Sequence, residues 1–541
     1  MKHPPWDAET AAAIGIDWLL SRSAPAGEFG WRRRARQRVF APGDEPEAQA
    51  RIAQVVRVAE TLEAERLEAL RAALAGIPDP GPALVRASAG EVLGDVDFFE
   101  LNRFFAALDE IRTLASHRAF TGSELPSGGD ALRDALAPGR TPQRGFYLDD
   151  EFASGLAAAR ARANERQTAY DLARGALLAR AAAALGLDHL RDGEFTLLRD
   201  VTPGPLPPEV RVLREAPAYF ACELALDAPA LAALAARDAA AAAVAEAEEE
   251  VRARLSRLAG AAAADLQRAC EVLGELDVLT GCARFAQRYA CVAPHVVEWG
   301  APFAFEDARY LPLAEALAES GRSYAPISLE LDGVAVVTGP NMGGKTAALR
   351  TSGFVAACVA LGLPVPARAA GVPLFDEVAW IGIVRGEESN DGERRLLSSF
   401  GSEVRALRDL FERDARRALV LIDEFARTTT PREGRALLVA LLQRLAERDA
   451  RALAATHLHG VAREAGAAHY AIAGLRALPP RSRPPLALGA ALHLIAEAMD
   501  YRLRRGGEED AAQADALALA DALGLDEELV ARARRELTRR S

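Results

Sequence analysis

The stretch Val334-Ala335-Val336-Val337-Thr338-Gly339-Pro340-Asn341-Met342-Gly343-Gly344-Lys345-Thr346 decides how this chain folds. Its first four residues are apolar and mostly β-branched, which predicts a buried strand. Ala347-Ala348-Leu349-Arg350 follows and predicts a helix. Between them Gly339, Pro340, Asn341, Met342, Gly343, Gly344, Lys345 and Thr346 fit the nucleotide-binding pattern G-x-x-x-x-G-K-[ST]. Glycines let backbone N–H groups curl around the β- and γ-phosphates at a helix N-terminus, where the dipole favours anions. Lys345 is placed to reach the phosphates, and the Thr346 hydroxyl to ligate Mg²⁺. Lysine occurs only at positions 2 and 345, every other Lys/Arg position being arginine. A compact ammonium therefore stands where a planar guanidinium would serve poorly. The stretch predicts a nucleotide-binding protein.

Downstream, Leu419-Val420-Leu421-Ile422-Asp423-Glu424 reads as four strand residues ending in two carboxylates. By itself it is a buried strand with exposed acidic residues. With the glycine-rich loop it predicts a core strand beside the first one, Asp423 holding Mg²⁺ through water and Glu424 polarising the attacking water. Ala455-Thr456-His457 ends another apolar strand. His457 is placed to bond the γ-phosphate or the lytic water; a structural histidine, or a metal pair with His459, are the other readings. In Leu397-Ser398-Ser399-Phe400-Gly401-Ser402-Glu403-Val404 the hydroxyls suit a helix cap, and equally a phosphate at a helix N-terminus.

The remaining sequence sets limits. Its 541 residues suggest two to four domains, and a net charge of −12 excludes a uniformly basic nucleic-acid coat, though not a local basic track. Cys222, Cys270, Cys282, Cys291 and Cys358 form no CxxC pair or zinc spacing, as expected of buried thiols in a reducing cytoplasm. Asp7 and Glu9 precede any apolar run, so no signal peptide is expected, and the absence of a stretch of about 18 uncharged apolar residues predicts no membrane span, with no membrane expected among the partners. Residues 1–300 are rich in Ala, Leu, Arg and Glu at helical spacing, with Leu231–Leu258 reading as one long helix of lever or coiled-arm type. A small β excursion is expected at 193–226, an α/β domain over 301–509, and a helix–turn–helix over 510–541 that serves as a dimerisation element or a cap. Arg32-Arg33-Arg34, Arg36 and Arg38 form the densest basic run, by default a solvated helix face and otherwise a phosphate-tracking patch.

Taken together these motifs resemble the MutS family of ABC-type ATPases. Thr338–Thr346 matches the family's TGPNMGGK[ST] throughout, Val365-Pro366-Ala367 its V-P-A, and Asp423-Glu424 and Ala455-Thr456-His457 its D-E and A-T-H. Ser398-Ser399-Phe400 with Glu403 resembles its S-T-F-x-x-E-M. The resemblance implies a multidomain fold: a mainly α-helical core and lever domain with a small clamp-like β insertion, then an α/β P-loop ATPase domain and a C-terminal helix–turn–helix. It implies a homodimer in which Ser398 completes the partner's ATP site in trans, Tyr324 stacks on adenine, and Glu424 with His457 serve hydrolysis. DNA is the implied substrate, with Arg199, Arg211 and Arg214 the basic residues of the clamp.

Departures from the family pattern qualify this. The chain begins at the core domain, so the mismatch-reading domain and its connector are expected to be absent, and DNA structure rather than a single mismatch is the expected target. Phe98-Phe99-Glu100 fits the family's Phe-x-Glu wedge, but its neighbours read as an amphipathic core helix. Three arginines in a short clamp promise weak binding. Phe425-Ala426-Arg427-Thr428-Thr429-Thr430-Pro431 replaces a loop richer in Gly and Ser. The competing expectation is an ATP-driven, chaperone-like partner of a metabolic enzyme such as a cobalamin-dependent aminomutase.

Overall fold

The computed structural model describes residues 4–121, 125–139, 146–202, 204–340, 344–382, 399–413, 416–475, 498–506, 517, 520–521 and 524–540. The chain forms two compact units, one of residues 1–75, 113–125 and 272–541, the other of 76–112 and 126–271. These divisions differ from the sequence-based boundaries at 300 and 510. The described residues before Gly76 group with the α/β unit.

The first unit is built on strands β4 (His295–Val297), β5 (Phe303–Ala308), β6 (Ile327–Leu331), β7 (Val334–Thr338), β8 (Ala369–Pro373), β9 (Glu377–Ile381), β10 (Ala418–Asp423), β11 (Arg451–Ala455), β12 (Ala468–Leu475) and β13 (Met499–Arg505), numbered after three strands of the second unit. Among the described residues they make a sheet of order β13-β12-β7-β11-β10-β9 and a smaller one of order β4-β8-β5-β6. From β12 to β9 every pairing is parallel, and β13 closes the edge antiparallel. Strands buried on both faces need helices on both sides, which explains why β7, β9 and β11 are buried throughout. One face packs Val336, Val420, Ile422 and Ala454 against Leu410, Leu438 and Leu442 of the helices Ser399–Glu412 and Pro431–Glu447. The helix Lys345–Ala360 covers the other, with Gly353 so close to the sheet that an added Cβ would lie 2.9 Å from Leu421 Cδ1 and 2.4 Å from Ile14 Cγ2. One sequence expectation is corrected here. The strand bearing Asp423 is not beside β7; β11 lies between them, its Ala452–Ala455 in register with Val334–Val337 on one edge and Val420–Asp423 on the other.

The N-terminal helices belong to this sheet. Thr10 Oγ1 accepts a hydrogen bond from the Trp380 N–H at 3.0 Å, and the Trp18 ring lies 6.0 Å from Phe354 and 5.4 Å from Tyr289. The arginine run is largely tied down. Arg33 bonds Glu275 at 2.6 Å, Arg34 bonds the Ser23 carbonyl at 2.6 Å, Arg32 pairs with Glu28 and Arg38 with Asp44. Asp277, buried, accepts from the Ala26 and Gly27 N–H groups at 2.8 and 2.7 Å, satisfying donors at the start of the helix Glu28–Ala35.

The second unit carries β1 (Phe195–Leu198), β2 (Val210–Glu215) and β3 (Tyr219–Leu224), an antiparallel sheet of order β1-β3-β2. The β excursion read from sequence is this sheet. Its inner face packs Leu197, Val210, Cys222 and Leu224 against Leu177, Ala181 and Ala230. Phe98 is buried in the helix Asp95–Ala115, its ring 5.2 Å from Phe146, so it is a core residue. The long helix extends well past the Leu231–Leu258 stretch, running 62 residues from Ala228 to Tyr289; Glu271 is its last residue in this unit. An alanine-rich window of 18 residues in it reaches a mean hydropathy of 1.3 with 6% of the window buried. By length and composition alone that window is apolar enough to cross a membrane. Of residues 510–541, the helix Glu527–Arg540 follows Gly524 at φ 84°; most of the helix expected before it lies outside the described residues.

Candidate nucleotide site

Parallel α/β sheets present their loops and helix N-termini at the carboxyl ends of the strands. Here β7, β10 and β11 end together, and the polar residues singled out in the sequence gather there. Gly339 leaves β7 at φ 148°, and a Cβ on it would stand 2.9 Å from Ile472 Cβ, so only glycine fits. Gly344 at φ 92° caps the helix that begins with Lys345. Asn341, Met342 and Gly343 lie outside the described residues, as does Ser398.

Lys345 is 4% exposed, and its ammonium donates to the carbonyls of Gly339 at 2.8 Å and Pro340 at 3.2 Å. Burial lowers its pKa, while Glu424 and Asp423 pull the other way. Thr346 Oγ1 lies 3.0 Å from each carboxylate oxygen of Asp423. Burial raises the Asp423 pKa; Glu424 adds to the rise, and Thr346, Arg350 and Lys345 oppose it. One hydroxyl thus bridges the start of the loop helix and the end of β10, across the intervening β11.

Glu424 follows with φ 51°, and Ala426 has φ 60°, left-handed values uncommon outside glycine. Several contacts hold the turn, among them the following. The Glu424 N–H donates to Ala455 O at 3.0 Å, Arg427 reaches the Glu424 carboxylate at 3.3 Å, and the Ala426 N–H donates to Glu403 Oε2 at 2.8 Å. His457 sits exposed beyond β11, where the Thr456 N–H donates to Val337 O at 3.1 Å and so ties it to the end of β7. Tyr324 packs over the loop helix, its hydroxyl 3.0 Å from Thr351 Oγ1, with burial raising its pKa.

The clamp arginines lie in the other unit. Arg199 reaches Glu215 at 3.1 Å with its guanidinium 4.1 Å from the Phe220 ring, Arg211 pairs with Glu223, and Arg214 is exposed. Sequence reading missed two residues of the candidate site. Arg350 lies one helical turn beyond Thr346, a spacing that could have exposed it, and Glu403 was noted only as a motif letter.

The donor set fits a magnesium nucleotide. Thr346 and Asp423 offer oxygen only, and the crowding of Asp423 and Glu424 in a buried site favours a cation. Mg²⁺ takes one or two carboxylates and fills its shell with phosphate and water. It therefore needs no protein-only cluster, and no group of three His, Cys, Asp or Glu side chains suited to a metal occurs among the described residues.

Fold and site define an α/β protein whose polar cluster is assembled at a glycine-rich strand–helix loop. Residues 335–478 match the MutS domain V family. The chain is 31% identical to endonuclease MutS2 of Anaeromyxobacter sp. (strain Fw109-5) over 78% of this chain and 54% of that protein. It is 31% identical to endonuclease MutS2 of Carboxydothermus hydrogenoformans over 50% of this chain and 31% of that protein. With the DNA mismatch repair protein MutS of Azorhizobium caulinodans it shares 33% identity over 39% of this chain and 23% of that protein. The chain thus spans about half the length of the first of these relatives and less of the others. Over residues 335–478 the chain carries a domain of the MutS family, and beyond it the chain is similar to MutS2 proteins.

Proposed function

We propose that this protein is an ATP-binding and ATP-hydrolysing homodimer of the cytoplasm that binds DNA in mismatch repair or recombination, reading DNA structure rather than single mismatches. The observation that carries the reading is the Thr346–Asp423 bridge beside Lys345 and Glu424. It is a phosphate-and-magnesium donor set, in a chain whose relatives are named for mismatch repair and as MutS2 endonucleases.

Lys345 turns from its loop carbonyls to the phosphates of ATP, and Tyr324 packs against adenine. Thr346 and Asp423 would hold Mg²⁺, which would supply positive charge to neutralise the phosphates. Glu424 orients the attacking water and accepts its proton, with His457 at the same strand ends to bond the γ-phosphate or that water. Ser398 of each protomer completes the other's site. Since Glu215 and Glu223 already neutralise two clamp arginines, DNA contact through this sheet is weak unless those pairs open.

The test compares wild type, Lys345→Ala and Glu424→Gln. ATP turnover is measured together with binding to duplex, mismatched, branched and single-stranded DNA, at about 150 mM salt, where screening acts over about 8 Å. Glu424→Gln should bind ATP normally and lose roughly 10²- to 10⁴-fold in turnover, and Lys345→Ala should lose binding. Retention of branched or mismatched DNA by Glu424→Gln supports the DNA role. Turnover with no DNA bound removes it and directs the search to a protein partner. Absence of turnover in wild type removes the ATPase reading.

A further inference from the structure

The left-handed turn after Asp423 contains no glycine. Asp423-Glu424-Phe425-Ala426 holds positive φ at Glu424 and at Ala426 with ordinary side chains, and such backbone persists only where neighbours over-determine it. Part of that determination comes from the helix Ser399–Glu412. Glu403 on this helix is 6% exposed, and its Oε2 accepts the Ala426 N–H at 2.8 Å. From the same helix Phe400 packs its ring 6.2 Å from that of Phe425, the residue between the two left-handed positions. The other side of the turn is closed by Thr429, whose N–H and hydroxyl donate to Ala426 O at 3.0 and 2.8 Å.

We propose that Glu403 is a positioning residue for hydrolysis: by capping Ala426 N–H it fixes the turn that aims the Glu424 carboxylate. The inference rests on the ATPase reading above and deepens it. A carboxylate taken out of water requires a donor in return, and among the described residues Ala426 N–H provides one. Burial raises the Glu403 pKa, while Ala426 N–H and Arg427 oppose the rise, as expected of a group held in place at a cost in solvation. Glu403 also gives the helix Ser399–Glu412 a direct hold on the catalytic turn. Any displacement of that helix along its axis therefore moves Glu424.

Glu403→Gln keeps an acceptor oxygen of the same reach, whereas Glu403→Ala removes it. Turnover should fall about 10²-fold in Glu403→Ala, the scale expected for misplacement by about an ångström. The dissociation constant for ATP should not change, and Glu403→Gln should recover most of the rate. On a Glu424→Gln background, Glu403→Ala should change turnover no further, because both act through one carboxylate. Amide hydrogen exchange at Ala426 should speed up in Glu403→Ala and not in Glu403→Gln, an outcome readable whether or not ATP is hydrolysed. Wild-type rates in Glu403→Ala, additive losses in the double variant, or unchanged exchange at Ala426 each overturn the proposal. Failure of wild type to hydrolyse ATP overturns the function assigned above and, with it, the catalytic meaning of Glu403.

Discussion

A single hydroxyl connects the two halves of the candidate site. Thr346→Val keeps the shape of the side chain but leaves both Asp423 oxygens without that donor, at a cost of about 1–3 kcal/mol. Chemical denaturation without nucleotide should show that loss, and Thr346→Ser should restore it. Asp277 gives a pH signature. Burial raises its pKa above the ordinary 3.8, against the Ala26 and Gly27 N–H groups and Arg71, which lower it. A carboxyl whose folded pKa is raised contributes stability that is complete below the unfolded value and is lost as pH rises through the folded one. The stability advantage of wild type over Asp277→Ala should therefore be larger near pH 4 than at pH 7, as read from paired urea titrations. Lys345, Thr346 and Asp423 were legible because their chemistry is tied to spacing along the chain. The left-handed backbone at Glu424 was not, because no glycine announces it, and Glu403 was not, because its partner is a backbone N–H 23 positions away.

Elements in this protein meet at very short range in a few places. Gly274 and Gly281 meet backbone first: a Cβ on Gly274 would lie 2.7 Å from Phe29 O, and one on Gly281 2.6 Å from Ala24 O. Backbone cannot turn aside as a side chain can. Alanine at either position should cost about 1–3 kcal/mol and lower the melting temperature. The small antiparallel sheet offers a second prediction. Arg211 and Glu223 are directly opposed in its register, and Arg199 is held by Glu215. Replacing both acids by glutamine frees two guanidinium groups. If this sheet touches DNA, the slope of log affinity against log salt should steepen by up to about 1.8, at about 0.9 per phosphate. Strand runs and the β excursion were readable from apolar, β-branched clusters. The neutralisation of the arginines was not, since it depends on cross-strand register, which sequence order does not display.

The whole molecule is less legible than its parts. Composition placed a helical region before an α/β region, and the folded chain contains both. The units, however, are assembled from discontinuous segments, so that residues 1–75 share a core with residues 272–541. Periodicity detects which face of a helix is apolar but not which distant element covers it. Thr10 and Trp380 illustrate this, since their hydrogen bond joins positions 370 residues apart. That contact has a consequence for biosynthesis. At about 5–20 residues per second, roughly 20–75 s separate the appearance of Thr10 from that of Trp380 on the ribosome. During this interval Ile14 and Leu19, both buried in the finished protein, have no sheet to cover them. The expected outcome is that starving a cell of holding chaperones lowers the yield of this protein, as read by pulse labelling, and that polar substitutions at Ile14 and Leu19 lessen that dependence.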